Sequence, residues 1–167
     1  MASSIRTLNP ATGKVEKEFQ AYTSEEINQY IDDAHELYQT WRFTSFEERQ
    51  AIMKRVANEM RQQKARLAKL VTTEMGKPLH ESEIEIEYSA NIIEYYADNA
   101  AEFLADSTLE TEKGTAYVVS EPIGVLLGVM PWNFPFSQIA RFAGPHLMAG
   151  NTMVLKTASN IPQCGIA

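Results

Sequence analysis

Asn133 stands between two prolines, in Pro131-Trp132-Asn133-Phe134-Pro135, directly after an uncharged apolar run from Ile123 to Met130. A side-chain amide held in this way can donate to an oxygen on which negative charge builds during attack on a carbonyl. Asparagine also caps helices well, and the local pattern by itself favours a cap on a helix starting near Pro135. Arg141 follows, one of only three charged residues in 114–167 together with Glu121 and Lys156. A lone guanidinium in apolar sequence usually has an anionic partner, the alternative being an arginine that simply reaches solvent. Lys156 closes a second apolar run from Thr152, so its ammonium emerges at a strand end, either into a ligand crevice or into water. His35, His80 and His146 lack metal-ligand spacing, and no Cys/His cluster is present, so no metal site is expected.

These residues need elements to hold them. Ile123–Met130 is short, apolar and uncharged, and reads as a strand covered on both faces. Pro131 ends it, Pro135 suits the first turn of a helix, and Gly150 stops that helix after Met148. Thr152 to Lys156 is then a second buried strand. Strand, helix, strand at this spacing predicts a βαβ unit with parallel strands and a right-handed crossover. In open α/β sheets the crevice beyond the carboxyl ends of the strands takes the ligand. Asn160-x-Pro162 looks like the start of a further helix.

Upstream, β-type residues flank Asn9-Pro10-Ala11-Thr12-Gly13-Lys14 and predict a hairpin within residues 5–22. Thr23-x-x-Glu26 and Ser45-x-x-Glu48 are capping boxes opening two helices. Ile27, Tyr30, Ile31, Ala34, Leu37, Tyr38 and Trp41 form the apolar face of the first, and Ile52, Met53, Val56 and Met60 that of the second. The pattern resumes at Leu67, Leu70 and Val71 and closes at Gly76 and Pro78. A long helix follows from about Glu81 to Leu104, with Ile84, Tyr88, Ile92, Tyr95 and Phe103 as its buried stripe. Glu83, Glu85 and Glu87 are expected near its first turns, where the helix dipole favours negative charge. Thr115 to Ser120 reads as a strand. Arg61, Lys64, Arg66 and Lys69 read as a solvated basic face.

The composition is that of an ordinary soluble domain, with 44% hydrophobic and 22% charged residues and a net charge of −7. The acidic balance lies wholly before residue 114, which argues against nucleic acid or an anionic membrane surface as partner. The polar N-terminus and the lack of a long apolar run predict no signal peptide and no membrane span. A single cysteine excludes an internal disulfide and fits a reducing cytoplasm.

Glu121-Pro122-Ile123-Gly124, Pro-Trp-Asn-Phe-Pro, Met148-Ala149-Gly150-Asn151-Thr152 and Leu155-Lys156-Thr157-Ala158-Ser159 stand in the order and spacing of the aldehyde dehydrogenase superfamily. The chain resembles that family, and within it the succinate-semialdehyde dehydrogenase branch. The resemblance implies an α/β fold, the N-terminal part of an aldehyde dehydrogenase, with a hairpin, a helical segment and the start of a Rossmann-like parallel sheet. It implies residues 1–22 as a hairpin of the oligomerisation region and 23–113 as the helical part of the nucleotide-binding domain. Residues 114–122 become a strand leading to the oligomerisation region, and 123–167 a first βαβ unit cut short.

The resemblance also assigns roles. Asn133 becomes the oxyanion donor, and Arg141 the grip on a substrate carboxylate, suited to a bidentate fork. Phe134 lines the substrate funnel, core packing being nearly as good a reading. The backbone of Met130, Pro131 and Trp132 lines the cofactor cleft, and Lys156 holds the hydroxyls of the adenosine ribose. Ser159 stands where many NAD-preferring relatives carry glutamate, so either NAD or NADP is admissible. The family's nucleophilic cysteine and general-base glutamate belong beyond residue 167. Cys164 is then a small buried helix residue, and the chain alone is expected to be inactive. A small aldehyde is the expected substrate and a homo-oligomer the expected assembly. An acyl-CoA or acyl-phosphate reductase, or a non-enzymatic oligomerisation module, are the alternatives.

Overall fold

A computed structural model describes residues 4–167. It opens with an antiparallel hairpin of β1 (Ser4–Leu8) and β2 (Val15–Gln20). The turn is closed by Asn9, whose carbonyl accepts from Gly13 (2.8 Å) and whose side chain accepts from Ala11 (3.0 Å). Gly13 supplies the positive φ that this turn needs (68°).

Helices α1 (Ser24–Trp41) and α2 (Phe46–Gln62) both begin with complete capping boxes, from Thr23/Glu26 and Ser45/Glu48. Each box satisfies backbone donors that the first helical turn leaves free. Helix α3 (Lys64–Met75) ends at Gly76 in the left-handed conformation, and α4 (Leu79–Phe103) starts after Pro78. A short antiparallel pair, β3 (Ser107–Leu109) and β4 (Ala116–Val118), precedes the parallel pair. The latter consists of β5 (Val125–Val129) and β6 (Thr152–Lys156), joined by α5 (Pro135–Met148). Helix α6 (Pro162–Ile166) follows.

Helix α4 is central and packs on α2, α3 and α5. Here the expected stripe is overturned. The buried face of α4 is Ser82, Glu85, Ile86, Ser89, Ala90, Ile93, Ala97 and Ala100, while Ile84 is 65% exposed and Tyr88, Tyr95 and Phe103 are also exposed. Gly144 of α5 leaves room for the Tyr96 ring of α4, which a Cβ there would meet at 2.8 Å. Tyr88, Tyr95 and Phe103 turn outward instead.

Two apolar clusters form the core. One joins Met53 and Ala57 to Ala90, Ile93, Ala140 and Met148; the other joins Leu67, Val71 and Ile86 to Phe136, Ile161 and Cys164.

The pair β5–β6 is not covered on both faces, contrary to the sequence expectation. The Gly128 and Met130 side packs on Phe142 of α5. On the other side Leu127 and Val129 are each 67% exposed. Helix α1 covers only one end of that face, where Thr152 donates to the Ala34 carbonyl (2.8 Å) and Tyr38 to that of Pro122 (2.9 Å). At the other end Ile27 and Tyr30 stand off, leaving a cleft of about 510 Å³ that Lys156 also lines.

The basic run is likewise not simply solvated. Arg61 bonds to Glu87 (2.9 Å), Asn91 (2.7 Å) and Glu94 (2.7 Å), and Lys64 reaches Glu87, so these cations join α2 and α3 to α4.

Candidate active site

The parallel register brings the expected cofactor-binding residues to one edge. Val129 pairs with Lys156, and the Met130 N–H donates to the Lys156 carbonyl at 2.9 Å. Met130, Pro131 and Trp132 therefore leave β5 beside the point where Lys156 leaves β6 toward Ser159. Met130 is buried, whereas Pro131, Trp132, Lys156 and Ser159 are exposed. This is the carboxyl edge of the strands, where α/β sheets carry their ligands.

The opposite, amino ends of the two strands are tied down by Asn151. Its side-chain oxygen accepts from the N–H groups of Ile123 (2.8 Å) and Gly124 (3.2 Å), holding the entry of β5 against the turn into β6. Asn151 is buried, and Gly150 just before it takes φ +90°, ending α5.

Asn133 does not cap α5. The cap position is Phe134, which makes no side-chain cap bond, and Asn133 is exposed in the turn before it. The first turn of α5 is satisfied from another helix. Glu85 Oε1 accepts from the N–H groups of Phe136 (3.0 Å) and Ser137 (3.3 Å). Its Oε2 pairs with the Lys77 ammonium, and both side chains are almost wholly buried. Glu85 thus lies beyond the first turn of its own helix, where only Glu81 is acidic, and serves the dipole of α5 instead. The Lys77 Nζ also lies 4.0 Å from the centroid of the Phe134 ring.

A second buried carboxylate repeats the arrangement at the start of α6. Glu74 accepts from Thr7 Oγ1 (2.6 Å), from the Gln163 N–H (2.8 Å) and from the Cys164 N–H (2.7 Å), tying α3 to β1 and to the start of α6. Neither carboxylate stands out in the sequence. The signals available were an acid on the apolar side of a helical repeat and, for Lys77, a lysine set between a C-terminal glycine and a proline.

Phe134 and Arg141 lie on either side of Tyr88. Phe134 and Tyr88 share a cleft of about 240 Å³ with Lys77 and Ile84. Arg141 and Tyr88 line the next, of about 490 Å³, with Tyr95, Tyr96 and Asn91. Arg141 Nη2 donates to the Tyr88 hydroxyl at 3.3 Å, its one polar partner among the described residues. The anionic partner expected for this lone cation is absent from that environment. Tyr88, assigned to the core by its spacing, proves to be the residue the two substrate candidates share.

Cys164 is buried in the second core cluster. Burial pushes its thiol well above the usual range, and the Glu74 carboxylate nearby pushes it further. The thiolate needed for nucleophilic attack is disfavoured there. No group of His, Cys, Asp and Glu among the described residues is arranged to hold a metal ion, and no helix is long and apolar enough to cross a membrane.

Fold and site together define an α/β protein whose parallel strands present a side-chain amide and a lysine at their carboxyl edge. The whole of residues 1–167 matches the aldehyde dehydrogenase family, and the chain belongs to it. It is 42% identical to a probable NADP⁺ succinate-semialdehyde dehydrogenase of a Synechocystis species, over 98% of this chain and 36% of that protein. It is also 42% identical to an NADP⁺ succinate-semialdehyde dehydrogenase of Deinococcus radiodurans, over 96% of this chain and 34% of that protein. A crystal structure of succinic semialdehyde dehydrogenase from Streptococcus pyogenes with NADP⁺ superimposes with a TM-score of 0.92 at 40% identity. That match covers 96% of this chain and 35% of the other. The chain thus spans about a third of the length of the relatives it matches.

Proposed function

We propose that these residues form the oxyanion- and cofactor-binding part of an NADP-dependent dehydrogenase that oxidises succinate semialdehyde to the acid. The observation that carries the reading is Arg141, an exposed guanidinium with no acid beside it, opening on a cleft that shares Tyr88 with the one lined by Phe134, the residue after Asn133. A substrate with a carboxylate at its far end supplies what Arg141 lacks.

The roles follow from the chemistry. Asn133 donates from its side-chain amide to the oxygen of the aldehyde as a thiol adds to the carbonyl carbon, stabilising charge as it develops. That thiol is not Cys164, whose burial and raised pKa keep it protonated. Phe134 forms an apolar wall of the substrate passage, with Tyr88 between it and Arg141. Arg141 fixes the far end of the substrate, so that the aldehyde meets the amide at one distance.

The residues at the other end of the edge suit a phosphorylated nucleotide. Lys156 brings a cation, Ser159 a hydroxyl, and no acid lines the cleft beside Lys156. A neutral hydroxyl at Ser159 accepts a 2′-phosphate that a carboxylate there would repel. NADP⁺, when bound, would supply the acceptor for the hydride leaving the carbon that the thiol has attacked, and water would then displace the thiol to give the acid. We assign residues 23–113 and 123–167 to the nucleotide-binding domain and the hairpin of residues 1–22 to the oligomerisation region, with the strand within 114–122 linking to that region.

Kinetics of an Arg141→Ala variant test the substrate. Loss of a charge-assisted contact should cost about 1.5–3 kcal/mol in kcat/KM for succinate semialdehyde. An uncharged aldehyde of similar length should be oxidised almost as well as by the wild type. Equal losses with both aldehydes would make Arg141 a structural residue.

A further inference from the structure

We infer that Glu85 is the positioning residue for Asn133, acting through the first turn of α5, with Lys77 holding Glu85 in place. The inference rests on the functional reading above for the role of Asn133, but the geometry of Glu85 is independent of it.

The turn from Pro131 to Pro135 has few anchors of its own. Upstream, the Met130 N–H is fixed to Lys156, and downstream the Gln138 N–H returns to the Phe134 carbonyl at 3.1 Å. Pro131 and Pro135 have no N–H to give. The free donors of the first helical turn are those of Phe136 and Ser137, and both go to one oxygen of Glu85. Asn133 lies three residues before the first of them and leaves its amide unspent on capping. Lys77 reaches the same structure twice, through Glu85 Oε2 and across the face of Phe134, the residue after Asn133.

A packing role alone explains this poorly. Burying a carboxylate and an ammonium is costly, and an apolar pair of equal volume often serves stability as well or better. What an apolar pair cannot do is accept two N–H groups at the head of α5. An acceptor of this reach fixes the height and tilt of that turn, and with it the position of the amide before it. Preorganised donors act only when they are held where the charge develops.

Three forms of the intact protein test the inference: Glu85→Asp, which keeps the charge and shortens the reach, the double variant Lys77→Met/Glu85→Gln, which keeps the reach and removes both charges, and the wild type. Two readouts are taken, amide hydrogen exchange at Phe136 and Ser137 and kcat per active site with succinate semialdehyde and NADP. In Glu85→Asp the two amides should exchange faster than those of α3, and kcat should fall about 10- to 100-fold. The KM for NADP should stay within about twofold, since uniform binding is untouched. The double variant should recover most of both. Unchanged exchange at the two amides, or faster exchange with unchanged kcat, overturns the inference. If Glu85→Asp does not fold, the double variant decides: near wild-type protection and kcat support the inference, and a folded double variant that loses kcat while keeping protection overturns it. A wild type that oxidises no aldehyde sinks the functional reading instead, and the exchange of the two amides then decides the geometric claim by itself.

Discussion

Single residues in this chain are decided by what surrounds them more than by their type. Cys164 shows it most simply. A lone cysteine in a thiol-enzyme family invites the role of nucleophile, yet the side chain is enclosed by core residues and its thiol is pushed upward by burial and by Glu74. The folded protein should resist maleimide labelling at neutral pH and become labelled at once in denaturant. Rapid modification of the native protein would contradict the burial of Cys164. Asn133 carries the opposite lesson. Its local sequence favours a helix cap, and the cap failed because a carboxylate from a distant helix had taken the donors. No window around Asn133 contains that information, because Glu85 lies 51 residues from Phe136. Removing Lys77 alone should leave Glu85 as a buried, half-satisfied anion, a loss of the order of 3–5 kcal/mol.

At the scale of elements, boundaries were largely legible and faces were not. The capping boxes at Thr23 and Ser45, the glycine after α3 and the prolines flanking Asn133 are local stop and start signals, and the fold uses each of them. Strands β5 and β6 followed from apolar runs bounded by such signals. Strand β3 carries no such signal, whereas β4, equally short, lies inside a longer run of β-type residues from Thr115 to Ser120. The inner face of α4 escaped for a physical reason. Its hydrophobic stripe and its buried stripe differ, because close helix packing selected alanine and serine over tyrosine and phenylalanine. The outer face of α4 is instead where ion pairs attach α2 and α3. Glu87 is held below the usual carboxylate range, chiefly by its hydrogen bond from Arg61. With a depressed folded value, the carboxylate contributes stability above its unfolded pKa, about 4.3, and loses it as pH falls through the folded value. Arg61→Gln should therefore lower the urea midpoint at pH 7 and lose that effect in strong acid. An equal difference at both pH values would mean that Arg61 acts by packing rather than by charge.

For the molecule as a whole, the exposed face of β5–β6 is its least ordinary feature. Leu127 and Val129 lie open to solvent on parallel strands, which are normally buried on both sides. A contiguous apolar strip of this kind drives association. Light scattering of the 167-residue chain over a dilution series should show self-association that Leu127→Lys weakens. A monomer at every concentration would mean that this face is tolerated in water. The strands' carboxyl edge carries the proposed chemistry, with Asn133 as its oxyanion donor. The direct measurement is kcat of an Asn133→Ala variant of the intact protein with succinate semialdehyde and NADP. Loss of one oxyanion donor should lower kcat about 10²- to 10³-fold, with cofactor binding and thermal stability little changed. A kcat within a fewfold of wild type would mean that Asn133 is not the oxyanion donor and that the turn between the two prolines holds nothing the reaction uses.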